Sequence, residues 1–398
     1  MNKERLPKGL YRSDQDLCFA DVRVADVVAG RTPCYVYSRE AIIDRVNLVR
    51  SSLPGTAQIK FAVKANPHLG VIDTLAKHID AFDVASCTEL RKCGRYQKQI
   101  SFSGPSKNID ELESALLAGA TINLESVKEV EKLKRVSEPL GRLPSVAIRV
   151  NPQFSLSSTG LSMAGASSQF GIDSELVPSI MREIPDEWRW DGFHYFGGSQ
   201  CLDASSLKRY YLAVVEDALK LSTSAKPLTK LNLGLSLGIP YTERDVGLPI
   251  SALSETIHQC DEEIRHTYPQ YQLQVESGRY LVGESGVFVT KVVDVKRSRG
   301  KNFVICDGGL NHFLAATGNL GQVIPRNYPL FTTPIRTEVV ASQIVGPLCT
   351  PLDVLGRNLE LPLPLEDDLV LVSQAGAYGA SASPQEFLSR GSVTEIIL

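Results

Sequence analysis

The sequence predicts an α/β fold: a (β/α)8 barrel over residues 34–276 followed by a separate β domain over residues 277–398. Three observations predict it. Eight short β-rich runs recur with helical patterns between them. Several of these runs are apolar along most of their length, as strands of a parallel sheet covered on both faces are. From about residue 277 the alternation stops, and β runs follow one another with turn signals between them.

The eight expected barrel strands are QIKFAVKA (58–65), AFDVA (81–85), QISFSG (99–104), TINLE (121–125), SVAIRVN (145–151), GFHYFGG (192–198), TKLNLG (229–234) and QLQVES (272–277). They are rich in Val, Ile and Phe, the residues that suit a pleated, buried surface. SREAIIDRVNLVRSSL before the first strand reads as a helix. NIDELESALLAGA after the third has Asn108 as N-cap and sets Ile109, Leu112, Ala115 and Leu116 on one face. ESVKEVEKLKRV after the fourth carries Ser126 and Glu129 at capping-box spacing. Residues 152–190 break the rhythm with a long Ser- and Gly-rich stretch, a lid or a tolerated insertion. Beyond 277, Gly283 and Arg299-Gly300 mark turns, and EVVASQIVG, DDLVLVSQAG and VTEIIL read as strands. Residues 1–33 form an N-terminal segment expected to pack with the β domain.

Composition excludes several classes. The formal net charge is −3, which gives no basic footprint for a nucleic acid. No run approaches the roughly 20 apolar residues of a membrane span, and the first residues lack the apolar core of a signal peptide. The eight cysteines are scattered, with no C-x-x-C pair, and the histidines lack H-x-x-x-H spacing. No metal site or disulfide framework is expected, and a reducing cytoplasm is the simplest compartment.

Chemistry converges on the C-terminal ends of the strands, where barrels place it. Lys64 ends the first strand among apolar neighbours. Desolvation there would lower its pKa and free the amine to attack an aldehyde. A lone strand-end lysine more commonly snorkels to solvent, so its weight comes from its company. Asp83 and Ser86 follow strand two, and Arg149 lies on strand five. His194, Phe196 and Ser199 follow on strand six, Gly234 and Ser236 after strand seven, and Glu276, Gly278 and Arg279 after strand eight. GLSLG (234–238) and SGR (277–279) offer tight turns and an arginine for a phosphate. Glu276 suits a ring nitrogen that must stay protonated to act as an electron sink. Phe196 or His194 offers a flat face for stacking.

KFAVKANPH, FDVASCTEL, SFSGPSK, RVNP, GFHYFGGSQ, ESGRYLVGESG, DGGL, GPLCTPLD and AGAYGASASP follow in order. Together they resemble the alanine-racemase-fold decarboxylases that depend on pyridoxal 5'-phosphate, the group of the ornithine and diaminopimelate enzymes. Among these the chain is most similar to the biosynthetic-cluster branch, with its siderophore, carrier-protein-linked glutamyl and exosortase-associated relatives. The resemblance runs from about residue 30 to the C-terminus. It implies a pyridoxal-phosphate-binding barrel with an alanine-racemase-like C-terminal β-barrel, and a homodimer with shared active sites. Lys64 would hold the cofactor as a Schiff base and Glu276 would meet its ring nitrogen. Ser199, Gly278, Arg279, Tyr378 and the 234–236 turn would hold the phosphate. Asp83 and Arg149 would support cofactor and lysine. Cys349 and Asp353 would enter from the partner subunit, with Cys349 protonating Cα. A free cysteine is more commonly a small buried hydrophobe; the GPLCTPLD context favours the catalytic role.

Three departures from the family pattern stand out. Gly234-Leu235-Ser236 replaces a triple-glycine turn, which puts cofactor affinity in question because leucine resists the backbone angles open to glycine. Phe196 aligns with the stacking histidine, leaving His194 two positions earlier. Thr350 replaces the acidic residue that reads diaminopimelate's distal end, which speaks against that substrate. The expected function is decarboxylation of an amino acid or amino-acid conjugate, free or tethered to a carrier protein. A free basic amino acid is the second choice. Loop 152–190 and Asn311-His312 are expected, from position, to line the distal pocket with Thr350. A racemase or aldolase on the same lysine, or a binding protein without catalysis, are the other classes.

Overall fold

Eight parallel strands close on themselves in the computed structural model, which describes residues 9–398 apart from 14–15, 158–160, 321 and 323–324. The strands are Gln58–Ala62, Ala81–Val84, Gln99–Phe102, Thr121–Leu124, Ser145–Asn151, Arg189–Tyr195, Lys230–Gly234 and Gln272–Ser277. Each pairs with the next, and the eighth pairs with the first, Glu276 lying opposite Lys60. All eight fall on expected runs. The sixth starts three residues earlier than the sequence suggests. The first ends at Ala62, which leaves Lys64 in a 3-10 turn, Val63–Ala65.

The two faces of the barrel strands differ, and here the expectation of apolar strands is corrected. Side chains alternate across a strand. Ile59, Phe61, Phe82, Phe102, Ile122, Ile148, Phe193 and Leu231 belong to the buried core shared with the helices. The inward set, among them Lys60, Ser101, Asn123, His194, Lys230, Asn232 and Gln274, is polar. Its charges are satisfied internally. Lys60 Nζ donates to Gln274 Oε1 at 3.0 Å, and Lys230 pairs with Asp191, which also accepts from Thr121 and Ser145.

The capping signals form as their chemistry dictates, with one difference. Ser38 caps Arg39–Ser51, and Asn108 with Glu111 forms a reciprocal box on Ile109–Leu117. Ser126 accepts from the Glu129 N–H at the start of Val127–Leu140, but the Glu129 carboxylate reaches past it to the Glu125 N–H. The long 152–190 stretch is tied down. Leu161–Ser162 pairs with Gly198–Ser199, Ile172–Asp173 joins the fifth barrel strand, and Val177–Glu183 is helical.

The second sheet is built from Gly286–Ser298, Lys301–Cys306, Leu330–Thr333, Val339–Val345, Val354–Pro362 and Leu369–Val372. Arg299 and Gly300 make its first hairpin turn with φ of 48° and 82°, the left-handed pair that a two-residue hairpin requires. Cys34–Tyr37, which the sequence places at the start of the barrel, lies instead in this sheet, between Gly286–Val289 and Thr394–Ile397. Its fully buried CYVY run has two partners there. Leu10, Leu17 and Phe19 of a small N-terminal sheet pack on the same strands, against Val287, Val289 and Leu371. Among the described residues no helix is long and apolar enough to cross a membrane.

Candidate active site at the barrel mouth

Strand register brings the inward polar groups to one level. His194 lies opposite both Arg149 and Asn232, Gly234 opposite Glu276, and Asp83 opposite both Ala62 and Ser101. Lys64, one turn past its strand, reaches over this level. Its Nζ stands 3.7 Å from Asp83 Oδ2 and 3.8 Å from Glu276 Oε1, with the Phe196 ring centroid 5.6 Å away.

The electrostatics correct the expectation that Lys64 is poised as a neutral amine. Burial alone would lower its pKa, but the Glu276 and Asp83 carboxylates outweigh burial and shift it upward. The protein on its own therefore holds an ammonium here. Burial would raise the Glu276 pKa. The attraction of His194, then of Lys64 and Lys60, draws it well below the usual carboxylate range. Asn232 Nδ2 donates to Glu276 Oε2 at 3.0 Å. His194 Nε2 lies 3.2 Å from the same oxygen, within ion-pair range but off a hydrogen-bond line. Asp83 Oδ1 accepts from Ser101 and Ser103, both at 2.7 Å, so Oδ2 is the oxygen left for Lys64.

A second cluster lies beside the first. Arg279 Nε donates to Ser199 Oγ at 3.1 Å and an Nη donates to Tyr241 OH at 2.6 Å, while the guanidinium lies 4.6 Å from the Tyr378 ring centroid. Among the described residues no carboxylate pairs with Arg279. A guanidinium surrounded by hydroxyls and lacking a counter-charge fits an added phosphate. The two clusters are locked together. Tyr378 donates its N–H to Ala65 O at 2.8 Å from a left-handed backbone (φ 54°). A Cβ at Gly278 would stand 2.8 Å from Ala65 Cβ, so glycine lets the eighth strand's turn lie against the Lys64 turn.

The Gly-Leu-Ser departure is absorbed by the fold. Leu235 is fully buried in the core, and Ser236 takes the left-handed conformation at φ 55° that a glycine would favour. The Leu235 N–H is committed to Glu276 O. Gly234 packs against Phe196, where a Cβ would come within 2.6 Å of the ring. Arg149 lies at the same level but turns to Glu125, with both carboxylate oxygens 3.2 Å from one Nη. Glu125 also accepts from the N–H groups of Gly104 and Gly171. Arg149 thus braces the mouth and the 152–190 segment rather than touching Lys64.

Two residues expected to contact substrate are buried and bonded within their own chain. Asp353 is 2% exposed, and its oxygens accept from the Leu310 and Leu348 N–H groups at 2.6 and 2.8 Å. It holds the loop that presents Cys349, instead of reaching outward. His312 is equally buried, with Nε2 3.3 Å from Gly391 O, and burial lowers its pKa. Cys349 is exposed, and neighbouring Thr350 accepts from the Leu352 N–H. No hydrogen bond, ion pair or ring contact joins Cys349 to the Lys64 cluster of the same chain. Three residues of the site were not singled out from sequence. Glu125 sits at a strand end like the others and could have been found by that rule; Asn232, in the middle of Lys230–Gly234, and Tyr241 carry no such signal.

Comparison with known proteins places this geometry. Residues 39–283 match the family described as pyridoxal-dependent decarboxylase, pyridoxal binding domain. The chain is 34% identical over 379 residues to L-glutamyl-[BtrI acyl-carrier protein] decarboxylase of Niallia circulans, covering 92% of this chain and 88% of that one. It is 29% identical over 371 residues to 2-[(L-alanin-3-ylcarbamoyl)methyl]-2-hydroxybutanedioate decarboxylase of Staphylococcus aureus, covering 89% and 91%. The crystal structure of diaminopimelate decarboxylase from M. jannaschii with L-lysine superposes with a TM-score of 0.89, covering 98% and 93% at 24% identity, a likeness of fold.

Proposed function

From the membership of this chain in the pyridoxal-dependent decarboxylase family, we propose that it removes the α-carboxylate of an amino acid whose distal end is modified or carried on a protein. That it is a pyridoxal-phosphate-dependent amino-acid decarboxylase follows from the family. The narrower substrate is supported by the Niallia and Staphylococcus relatives, whose names state a carrier-bound glutamyl group and a conjugate of alanine. Thr350 in place of an acid beside Cys349 also favours a substrate other than diaminopimelate.

The observation that carries the reading is Lys64 Nζ held within 4 Å of both Asp83 and Glu276, beside an arginine that pairs with no carboxylate among the described residues. Pyridoxal phosphate, when bound, supplies an electron sink for the bonding electrons left at Cα as carbon dioxide departs. Lys64 is the residue to which it attaches. Arg279, Ser199, Tyr241 and Tyr378 hold its phosphate. Phe196 would give the ring a flat face, and Glu276, its pKa drawn down by His194, would hold a proton at the ring nitrogen. Asp83 Oδ2, 3.7 Å from Nζ, would hold the charge of a free Lys64 ammonium. The partner subunit's Cys349 delivers a proton to Cα. This last role needs a homodimer, because Cys349 has no contact with the Lys64 cluster of its own chain. Eight unpaired cysteines favour a reducing, cytoplasmic setting.

The test is a screen of the holoenzyme against free amino acids, including diaminopimelate, ornithine and lysine, and against aminoacyl conjugates. Product is read by mass spectrometry and enantiomers by chiral separation. Loss of carbon dioxide from a conjugate, ahead of every free basic amino acid, is expected. Preferred turnover of diaminopimelate, or interconversion of enantiomers without loss of carbon dioxide, would overturn it.

A further inference from the structure

A small cavity lies inside the barrel on the N-terminal side of the Lys64 level. Its volume is about 20 Å³, and Lys60, Ser101, Asn123, His194 and Asn232 are among its lining residues. One water needs roughly 10–15 Å³ and two to four polar partners. Three polar atoms of the facing residues His194 and Asn232 have no hydrogen-bond partner among the described residues: His194 Nε2, which stands beside Glu276, and His194 Nδ1 and Asn232 Oδ1. Their residues are 2% and 3% exposed. The register sets these two residues opposite each other on adjacent strands, so both face the same space. Their other atoms converge on one carboxylate oxygen, Glu276 Oε2, with Asn232 Nδ2 at 3.0 Å and His194 Nε2 at 3.2 Å.

We propose that this cavity binds one ordered water that bridges His194 Nδ1 and Asn232 Oδ1, and that His194 is thereby the positioning residue for Glu276. A buried imidazole nitrogen and a buried amide oxygen left unpaired are costly, and a single water can hydrogen-bond to both. A water bonded to Nδ1 fixes the plane of the ring and so holds Nε2 at its station 3.2 Å from Glu276 Oε2, in ion-pair range. Oε2 is then held from two sides, while Oε1 stays on the Lys64 side, 3.8 Å from Nζ. The other charges around the cavity are already engaged, Lys60 with Gln274 and Lys230 with Asp191, so the water is not needed to satisfy them. The inference rests on the proposed pairing of Glu276 with the ring nitrogen only for its consequence. The water itself is independent of cofactor and of turnover.

High-resolution crystals of the full chain, grown with and without pyridoxal phosphate, test the water. One density peak within hydrogen-bond distance of both His194 Nδ1 and Asn232 Oδ1 is expected in each. An empty cavity, or a side chain turned into it, overturns the proposal. Binding of pyridoxal phosphate, followed by absorbance, tests the positioning role. The dissociation constant of His194→Leu is expected to rise at least about tenfold, the order seen when a buried polar group loses its partner. His194→Gln, which keeps a donor, is expected to recover most of that loss. A leucine variant that binds like the parent overturns the role. Should it fail to fold, Ala147→Val decides. Ala147 lines the cavity and its methyl group makes no hydrogen bond, and a valine there is expected to displace the water and weaken binding several-fold. Unchanged binding with the water gone overturns the role as well. A bound water in a protein that decarboxylates nothing would sink the functional assignment alone.

Discussion

Replacing Glu276 by glutamine tests the electrostatic core of the site without a substrate. The carboxylate is 1% exposed and makes two contacts through Oε2, to Asn232 at 3.0 Å and to His194 at 3.2 Å. The Asn232 hydrogen bond, made to a charged group, contributes roughly 1.5–3 kcal/mol. Removing one member of a buried ion pair costs about 3–5 kcal/mol, so the two ranges meet. Glutamine keeps the shape and one acceptor, so a loss of about 3 kcal/mol is expected in the cofactor-free protein at pH 7. The pH dependence fixes the cause. Although burial opposes it, His194, Lys64 and Lys60 depress the folded pKa of Glu276 below the ordinary glutamate value of 4.5. Such a group contributes stability that is fully present above its unfolded pKa and is lost as pH falls toward the folded one. The gap between parent and Glu276→Gln should therefore be constant from pH 7 to about pH 5 and narrow below pH 4.5. Urea denaturation followed by circular dichroism measures it at each pH. A gap that stayed constant down to pH 3, or that opened on acidification, would refute the assignment of a depressed carboxylate held by cationic neighbours.

Other variants separate the remaining roles. Cys349→Ala should leave the urea midpoint within about 0.5 kcal/mol, since the side chain is exposed, yet slow decarboxylation by roughly 10²–10⁴-fold if it is the general acid. Parent-like turnover would remove it from the mechanism. Arg279→Gln should raise the dissociation constant for pyridoxal phosphate by roughly 10- to 100-fold through loss of a charge-assisted contact, with little effect on pyridoxal lacking the phosphate. An equal loss for both ligands would mean that the arginine shapes the pocket instead. Asp353→Asn should cost about 1–3 kcal/mol of stability, because both oxygens accept from backbone N–H groups. A loss of substrate affinity at unchanged stability would restore it to the substrate pocket.

The barrel was legible because its outward face is a run of Ile, Phe, Val and Leu that must meet helices, and that signal survives in every strand. The polar inward face was not, because in a window of five residues two polar positions such as Lys60 and Lys64 do not outweigh the apolar majority. That is why Lys64 was expected to be desolvated and neutral. Its charge depends on Asp83 and Glu276, which come from other strands and meet it only through register. Strand-end position identified Asp83, His194, Phe196 and Glu276 as neighbours, since barrel closure gathers strand ends whatever the loops do. It says nothing of where a side chain turns next. Arg149 turns aside to Glu125, and His194 lies beside the carboxylate, leaving Phe196 nearer Lys64. The Asp353 and His312 side chains were read as pocket residues from motif position. Both are buried by the packing of the β domain, which no local pattern in GPLCTPLD or DGGLNHF encodes.

Borohydride reduction of the protein with pyridoxal phosphate, followed by proteolysis and mass spectrometry, locates the cofactor's point of attachment. The geometry predicts a single pyridoxyl modification, on Lys64, that disappears in Lys64→Ala together with the visible absorbance. Modification of another lysine, or retained absorbance in the alanine variant, would contradict the assignment of the Lys64–Asp83–Glu276 cluster as the catalytic centre.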